Sequence, residues 1–97
     1  MLSAMFDWND LKYFLAVARH GSTVGAARAL NVNRSTVHRR LDALEKEFGR
    51  QLILRQPSGY ALTDLGQNMV AYAEHVEETA QLFERRLLIS DSERRQR

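Results

Sequence analysis

Hydrophobic residues recur at helical spacing through the first fifty positions and change to a shorter period after them. A first helix is predicted between Asp7, its expected N-cap, and Gly21, with an apolar face made of Leu11, Phe14, Leu15 and Ala18. A second, short helix over residues 24–30 is rich in alanine, which lets a neighbouring helix approach closely. The motif Asn31-Val32-Asn33 predicts a turn, because asparagine tolerates the left-handed backbone region.

A third helix is predicted from about residue 34 to residue 48, where Gly49 ends it. Its apolar positions follow one another at steps of four, three and four: Val37, Leu41, Leu44 and Phe48. At about 100° per residue the last three of these side chains fall within about 40° of Val37. The opposite side carries Ser35, Arg39, Asp42 and Lys46, with His38 on its shoulder. Two helices joined by a three-residue turn, the second with one apolar and one polar face, indicate a helix-turn-helix.

The remaining chain predicts a hairpin and one long helix. Residues 51–55 and 60–62 contain strand-forming residues, and Gln56-Pro57-Ser58-Gly59 between them is a turn sequence. Thr63 is the expected cap of a final helix of about 25 residues, or roughly 38 Å. The division predicted from these patterns is a helical domain with a hairpin over residues 7–62, a linker helix over 63–89 and a polar tail over 90–97 that frays.

Composition and charge restrict the classes of function. The chain has 97 residues, 44% of them hydrophobic, and no cysteine, so it is expected to be one globular domain without disulfides or thiolate metal sites. Neither a signal peptide nor a membrane-spanning segment is recognisable, which makes the cytoplasm the default compartment. No phosphate-binding glycine loop, nucleophile–base pair or metal-ligand spacing is present, so neither an enzyme nor a cofactor is expected.

The net charge of +2 conceals an uneven distribution. Residues 1–60 carry nine Lys or Arg and five Asp or Glu, residues 61–84 carry five acids and no base, and residues 85–97 carry five bases and two acids. A basic body favours a polyanionic partner. On the third helix, Arg34 and Ser35 lie in the first turn, the part of such a helix that enters a major groove. Arginine can donate two hydrogen bonds to guanine, although a solvated helix surface also explains such a face.

In the order of these features the chain resembles the N-terminal domain of the LysR-type transcriptional regulators, over roughly residues 7–88. The similarity begins with residues 7–18 (DWNDLKYFLAVA) and continues through Gly21-Ser22, Ala26-Ala27, Leu30, Val32, Ser35, Val37, Arg39, Leu41 and Leu44-Glu45. It ends with Gly49, Leu52, Arg55, Leu62-Thr63 and Gly66. The resemblance implies a mainly α, winged helix-turn-helix fold followed by a linker helix through which two copies dimerise.

The resemblance also implies roles for individual residues. Arg34, Ser35, His38 and Arg39 are implied to face the bases of the operator, and Arg55 in the wing is implied to enter the flanking minor groove. Ser22, Thr23 and Thr63 are candidates for phosphate contacts near helix N-termini. The chain departs from the family at the start of the third helix: where the family often has Gln, Pro and Ser, this chain has Arg34, Ser35 and His38. It also has Val24 where a Thr commonly precedes helix two, and no Lys or Arg between Pro57 and Leu62.

The last helix carries an apolar stripe, defined as Leu65, Met69, Tyr72, Ala73, Val76, Ala80, Phe83 and Leu87. Much of this stripe is predicted to be exposed to water in a monomer. The alternative is that the helix packs wholly on its own domain. Antiparallel pairing of two such helices would cover the stripe. Glu74, Glu77 and Glu78 are expected to face outward. The larger effector-binding domain of full-length family members is expected to be absent, and with it a small-molecule effector site.

The predicted function is sequence-specific binding of double-stranded DNA by a homodimer on an inverted-repeat operator, in transcriptional regulation. Each copy would read one half-site, with the two half-sites about one helical turn apart. The alternative is a winged-helix module that binds a protein through the same face, favoured by the acidic linker and the small total charge. His38 is expected to act as a neutral hydrogen-bonding side chain, with a pH-sensitive contact as the alternative.

Overall fold

The computed structural model describes the backbone of residues 7–95 and the side chains of residues 7–89. The elements follow one another as α1 (Asp10–His20), α2 (Thr23–Leu30), α3 (Arg34–Phe48), β1 (Ile53–Gln56), β2 (Gly59–Leu62) and α4 (Asp64–Arg95). Three helices and an antiparallel hairpin precede the long helix, which confirms the mainly α, winged helix-turn-helix fold. Residues 7–62 are called the head below.

The ends of the first three helices follow the sequence signals. Gly21, Asn31 and Gly49 stand at the C-caps with φ of 68°, 57° and 62°, in the left-handed region that these residue types tolerate. The start of α1 differs from the prediction. Asn9, not Asp7, is the N-cap, and Asp7 instead heads a turn in which its Oδ1 accepts from the Asn9 amide at 2.9 Å.

The core lies between the first three helices and β1. Its largest fully buried side chains come from all of these except the small α2: Phe14, Leu15, Val17, Val37, Leu41 and Ile53. Ala26 of α2 is 0% exposed, which confirms that small residues let this helix pack closely. Phe48 is an exception to the predicted apolar face, because it is 47% exposed in the last turn of α3 and lines an open groove rather than the closed core.

The hairpin strands are shifted relative to their prediction, since β1 begins two residues later and both strands extend one residue further toward the turn. Gln56 pairs with Gly59 across a turn formed by Pro57 and Ser58, and Arg55 lies directly opposite Tyr60. Tyr60 also joins the hairpin to the head, since its amide donates to the carbonyl of Gly21 at 2.9 Å. The two strands are therefore paired with each other, and β2 is also bonded to the C-terminal end of α1.

The long helix α4 begins at a cap and a close contact. Thr63 Oγ1 accepts from the Gly66 amide at 2.9 Å, which confirms Thr63 as the cap. A side chain at Gly66 would overlap the carbonyl oxygen of Leu52. Glycine therefore lets the helix start against the end of the loop that precedes β1. The helix has 32 residues and extends to Arg95, beyond the predicted limit at 89, because no glycine or proline follows Gly66 to interrupt it. The side chains of the predicted tail lie outside those described.

Salt bridges fasten the first part of α4 to α1. Arg19 donates to Glu77 at 2.8 and 3.1 Å and lies 3.5 Å from Glu74. The prediction that Glu74 and Glu77 face outward was therefore wrong, since both are half-buried against α1, whereas Glu78 is exposed as expected. The hydrogen bond from Arg19 lowers the pKa of Glu77.

Candidate nucleic-acid interface

The exposed face of α3 begins at an open helix N-terminus. Asn33 occupies the N-cap position, but its side chain makes no capping hydrogen bond, and its carbonyl accepts from the amides of Thr36 and Val37. The amides of Arg34 and Ser35, at the first two helical positions, thus remain available as donors. Unpaired amides at the positive end of a helix dipole favour an anion.

Ser35 and Arg39 lie on this face, opposite the buried Val37. Of the other two predicted base-reading residues, His38 lies at the edge of the face and Arg34 lies in the first turn of the helix. Arg34, Ser35 and Arg39 are exposed and His38 is half-buried. In the part of the chain that the structure describes, Arg19, Arg40 and Arg55 are in salt bridges with carboxylates, but Arg34 and Arg39 are in none. The cations on this face are therefore not neutralised within the head.

The hairpin is fixed beside this face by a carboxylate. Glu45 Oε2, on α3, accepts from the amides of Leu52 at 2.7 Å and Ile53 at 3.0 Å. Because one carboxylate oxygen binds two successive amides, the start of β1 is held in one orientation relative to α3. Glu45 was named only as a matching residue of the family, and its role depends on a contact across the loop of residues 49–52.

Arg55 does not extend freely from the hairpin. Its Nη2 donates to Asp42 Oδ1 at 2.7 Å and its Nε to the Tyr60 hydroxyl at 3.4 Å, while its guanidinium carbon lies 5.8 Å from the centre of the Tyr60 ring. These two hydrogen bonds, that to Tyr60 first, raise the pKa of Arg55. The predicted minor-groove residue is thus held against the outer face of α3, with its side chain 42% exposed.

His38 belongs to the same polar cluster. Its Nδ1 lies 3.2 Å from the Tyr60 hydroxyl, and the two rings meet edge to face at 6.1 Å. Asp42 follows His38 by one helical turn, so both reach the hairpin from one side of α3. The helical period placed Asp42 on this face without a role, and Tyr60 was expected only as a residue of the second strand. The pairing of Arg55 with Tyr60 across the hairpin was the signal that could have found Tyr60, whereas the contact with Asp42 depends on the packing of the hairpin against α3.

The three predicted phosphate-binding residues differ in what their hydroxyl groups can still do. Ser22 Oγ accepts from the Gly25 amide at 3.0 Å, which leaves its proton free to donate to a phosphate. Thr63 already donates its hydroxyl proton to the Gln51 carbonyl at 2.8 Å. Thr23 is 7% exposed, so its side chain is largely inaccessible. The geometry therefore favours Ser22 and argues against hydroxyl contacts from Thr23 and Thr63.

The apolar stripe of α4 divides into a packed and an unpacked part. Ala73 is 3% exposed within the core of the head, so it is not available to a partner helix, contrary to the prediction. Tyr72, Phe83 and Leu87 are 65%, 65% and 56% exposed. Beside the first part of the stripe lies an apolar groove of about 470 Å³, whose outer walls include Trp8 and Phe48.

Other kinds of site are not found in the described part of the chain. No three His, Asp or Glu side chains come close enough together to hold a metal ion. No helix has the length and hydropathy needed to cross a membrane.

Comparisons with known proteins agree with this architecture. The family of bacterial regulatory helix-turn-helix proteins, lysR family, matches residues 8–67. The iron-regulated virulence regulatory protein IrgB of Vibrio cholerae is 38% identical over 76 residues, which are 78% of this chain and 26% of that protein. The HTH-type transcriptional regulator YofA of Bacillus subtilis is 43% identical over 67 residues, 69% of this chain and 24% of that one. The chain thus spans about a quarter of these relatives.

Solved structures give the same result for the fold. The CbnR DBD–DNA complex superposes with a TM-score of 0.79 at 32% identity, over 88% of this chain and 98% of that one. Full-length CbnR complexed with its target DNA gives a TM-score of 0.77 at 33% identity, over 84% of this chain and 28% of that one. On the family match over more than half of its length, and on this likeness in sequence and fold, the chain belongs to the lysR family of bacterial regulatory helix-turn-helix proteins.

Proposed function

We propose that the chain binds double-stranded DNA sequence-specifically through α3 and the hairpin, in transcriptional regulation. The observation that carries the proposal is the exposed face of α3, on which Arg34 and Arg39 lack carboxylate partners in the described part of the chain. Open amides at the start of the helix add a site for a phosphate oxygen. Support comes from relatives named as transcriptional regulators and from a similar domain solved with DNA. Such a function implies the cytoplasm.

Selection of binding sites from a random duplex pool tests this proposal. A recurring motif is expected, and binding to it should weaken steeply with added salt because each phosphate contact releases counterions. Retention on heparin in low salt, lost by about 0.3 M salt, is the simpler form of the same test. Failure to enrich any duplex, with no retention on heparin, would favour the module that binds protein through this face.

The first turn of α3 offers the sharpest single substitution. Arg34→Ala should relax base preference at one position of the motif and cost about 1–3 kcal/mol there, because arginine donates to two acceptors of guanine. Arg86→Ala removes the same charge from an exposed position on α4, far from this face, and is the matched control. Equal weakening by Arg34→Ala on every sequence would mean that Arg34 contacts only phosphate.

We further propose that two copies pair through α4 in antiparallel orientation. The apolar stripe without Ala73 is symmetric about Val76, since Leu65, Met69 and Tyr72 precede it by the same steps at which Leu87, Phe83 and Ala80 follow it. The other six positions all fall within about 40° of Val76 around the helix. Antiparallel pairing centred on Val76 therefore brings Phe83 of one copy opposite Met69 of the other, and Leu87 opposite Leu65.

The groove beside the first part of the stripe fits the same arrangement. Met69, Tyr72 and Val76 line it from α4, and Trp8 and Phe48 line it from the head. Phe83 and Leu87 of a second copy are apolar, exposed and correctly spaced to enter it. Burying them there would remove apolar surface from water in both copies at once. A two-fold pair of heads implies an inverted-repeat operator.

Engineered cross-links test this pairing without interference, because the chain has no native cysteine. The double variant Met69→Cys/Phe83→Cys should form dimers linked by disulfides on oxidation, whereas neither single variant should. Parallel pairing would instead link each single variant, since identical residues would then face one another. Sedimentation at tens of micromolar should show a dimer that Phe83→Ala weakens at least about tenfold. Leu82→Ala, on a different side of α4, is the matched control, and a monomeric wild type would overturn the proposal.

A further inference from the structure

Asp42, Arg55 and Tyr60 form a cluster that joins α3 to the hairpin on the side of the proposed DNA contacts. The Asp42 carboxylate receives one hydrogen bond from Arg55 Nη2 at 2.7 Å, and the Tyr60 hydroxyl receives a second from Arg55 Nε at 3.4 Å. The guanidinium also lies against the Tyr60 ring at 5.8 Å from its centre. Tyr60 is itself in contact with His38 Nδ1 at 3.2 Å.

This arrangement leaves part of the guanidinium unused. A guanidinium has five N–H donors, and the contacts to Asp42 and Tyr60 occupy one on Nη2 and the one on Nε. Nη1 has no hydrogen-bond partner among the described residues, and the Arg55 side chain is 42% exposed. The edge that remains free can therefore donate to DNA while the other edge keeps its partners in the protein.

An acidic residue on a DNA-binding face needs an explanation, because a lone carboxylate there repels phosphates. Asp42 has a side chain 62% exposed and lies on the same side of α3 as Arg39 and Lys46. An exposed ion pair contributes little to folding stability. Its effect on a long, flexible arginine is larger, since a side chain held in one orientation before binding loses less conformational entropy on binding.

We propose that Asp42 is a positioning residue that fixes Arg55 for sequence discrimination, with the Tyr60 ring as the second support. The inference rests on the proposed DNA-binding function and adds a residue on which specificity depends. In the complex, Arg55 keeps its hydrogen bond to Asp42 and contacts the DNA through Nη1. Discrimination improves because an arginine in one orientation binds well only where the groove presents acceptors at the matching place.

A double-mutant cycle on the selected duplex and on a shuffled duplex of equal length and composition tests the inference. Asp42→Ala should lower the ratio of the two affinities by about 3- to 10-fold. In an Arg55→Gln background the same change should leave the ratio within about 2-fold. Asp42→Glu, which keeps the carboxylate, should recover part of the loss. Glu78→Ala removes a carboxylate from an exposed position on α4 and should leave the ratio unchanged. Thermal unfolding midpoints confirm that each variant is folded.

The two possible mechanisms for Asp42 give opposite results. If the carboxylate only repels phosphates, Asp42→Ala strengthens binding to both duplexes by the same factor, with or without Arg55, and the inference is overturned. A loss of the ratio that persists in the Arg55→Gln background also overturns it, because Asp42 would then act without Arg55. If no duplex can be selected at all, it is the proposed DNA-binding function that fails, and the cycle is not reached.

Discussion

The head and the distal segment of α4, defined as residues 77–89, have similar proportions of apolar residues. In the head many of these residues are buried, whereas in the distal segment they are exposed. Phe14, Val37 and Leu41 in the head are 0–1% exposed. Phe83, Leu87 and Leu88 in the distal segment are 56–69% exposed, because none of the other described elements packs over them. The periodicity of a helix determines which side chains share a face, but burial of that face requires a second surface. The head supplies its own, and in the proposed dimer a second copy would supply one for the distal segment.

Removal of a leucine side chain is expected to give the largest difference between the two regions, measured as the change in the free energy of unfolding. Leu41→Ala should lower the free energy of unfolding by about 2–5 kcal/mol, because it leaves a cavity in a packed core. Leu88→Ala, at a residue 69% exposed and off the apolar stripe, should change it by no more than about 0.5 kcal/mol. Urea unfolding at one fixed protein concentration measures both. Similar losses for the two variants would mean that the distal segment is packed in solution as tightly as the head.

The junction between the two regions gives the second effect. Gly66→Ala should cost about 1–3 kcal/mol, because the new methyl group would overlap the Leu52 carbonyl and displace the first turn of α4 from the hairpin. Asn68→Ala is the matched control, since Asn68 is exposed in the next turn and alanine favours a helix. Thermal unfolding distinguishes the two. If Gly66→Ala proved as stable as wild type, the contact between α4 and the end of the loop would not be as close as described.

The smallest effect concerns a carboxylate inside the head. Burial raises the pKa of Asp10 above 3.8, although Arg40 Nη1 at 3.6 Å acts in the opposite direction. The folded state then binds this proton more tightly than the unfolded state. Its contribution to stability is present below pH 3.8 and is lost as the pH rises through the raised pKa.

Unfolding at a series of pH values tests this effect by comparison with Asp10→Asn. The free energy of unfolding of the wild type, relative to that of the variant, should fall between pH 3.8 and the raised pKa of Asp10. A difference that instead rises over this interval would show that the attraction of Arg40 outweighs the desolvation of Asp10. Glu77, the first residue of the distal segment, is the opposite case, because the hydrogen bond from Arg19 lowers its pKa.

Local patterns predicted most of the fold. The ends of α1, α2 and α3 followed from Gly21, Asn31 and Gly49, since the left-handed conformation at a C-cap depends on the residue itself. The cap at Thr63 followed in the same way, because its hydroxyl accepts from the amide of Gly66, three residues later. The start of α1 was predicted wrongly, because Asp7 and Asn9 are both good caps and only the turn of residues 7–10 decides between them.

The candidate site was predicted less completely. The exposed face of α3 follows from its period, which places Ser35 and Arg39 on it, and Arg34 is exposed in the first turn as expected. The hydroxyl of Thr63 and the guanidinium of Arg55 were both assigned to DNA without knowledge of their partners in the protein. Those partners, Gln51 and Asp42, lie 12 and 13 residues away in the chain. The first contact exists only once the hairpin has closed, and the second only once the hairpin has packed against α3.

The sequence alone determined the helix-turn-helix, the basic face and the repeating apolar positions of α4, because each depends on residues within a few turns of one another. Tertiary structure decided which of these side chains are buried or already paired with another residue of the protein. It placed Ala73 in the core, Glu74 and Glu77 against Arg19, and Arg55 between Asp42 and Tyr60. Burial and pairing depend on distances between elements, and periodicity along one element carries no information about those distances.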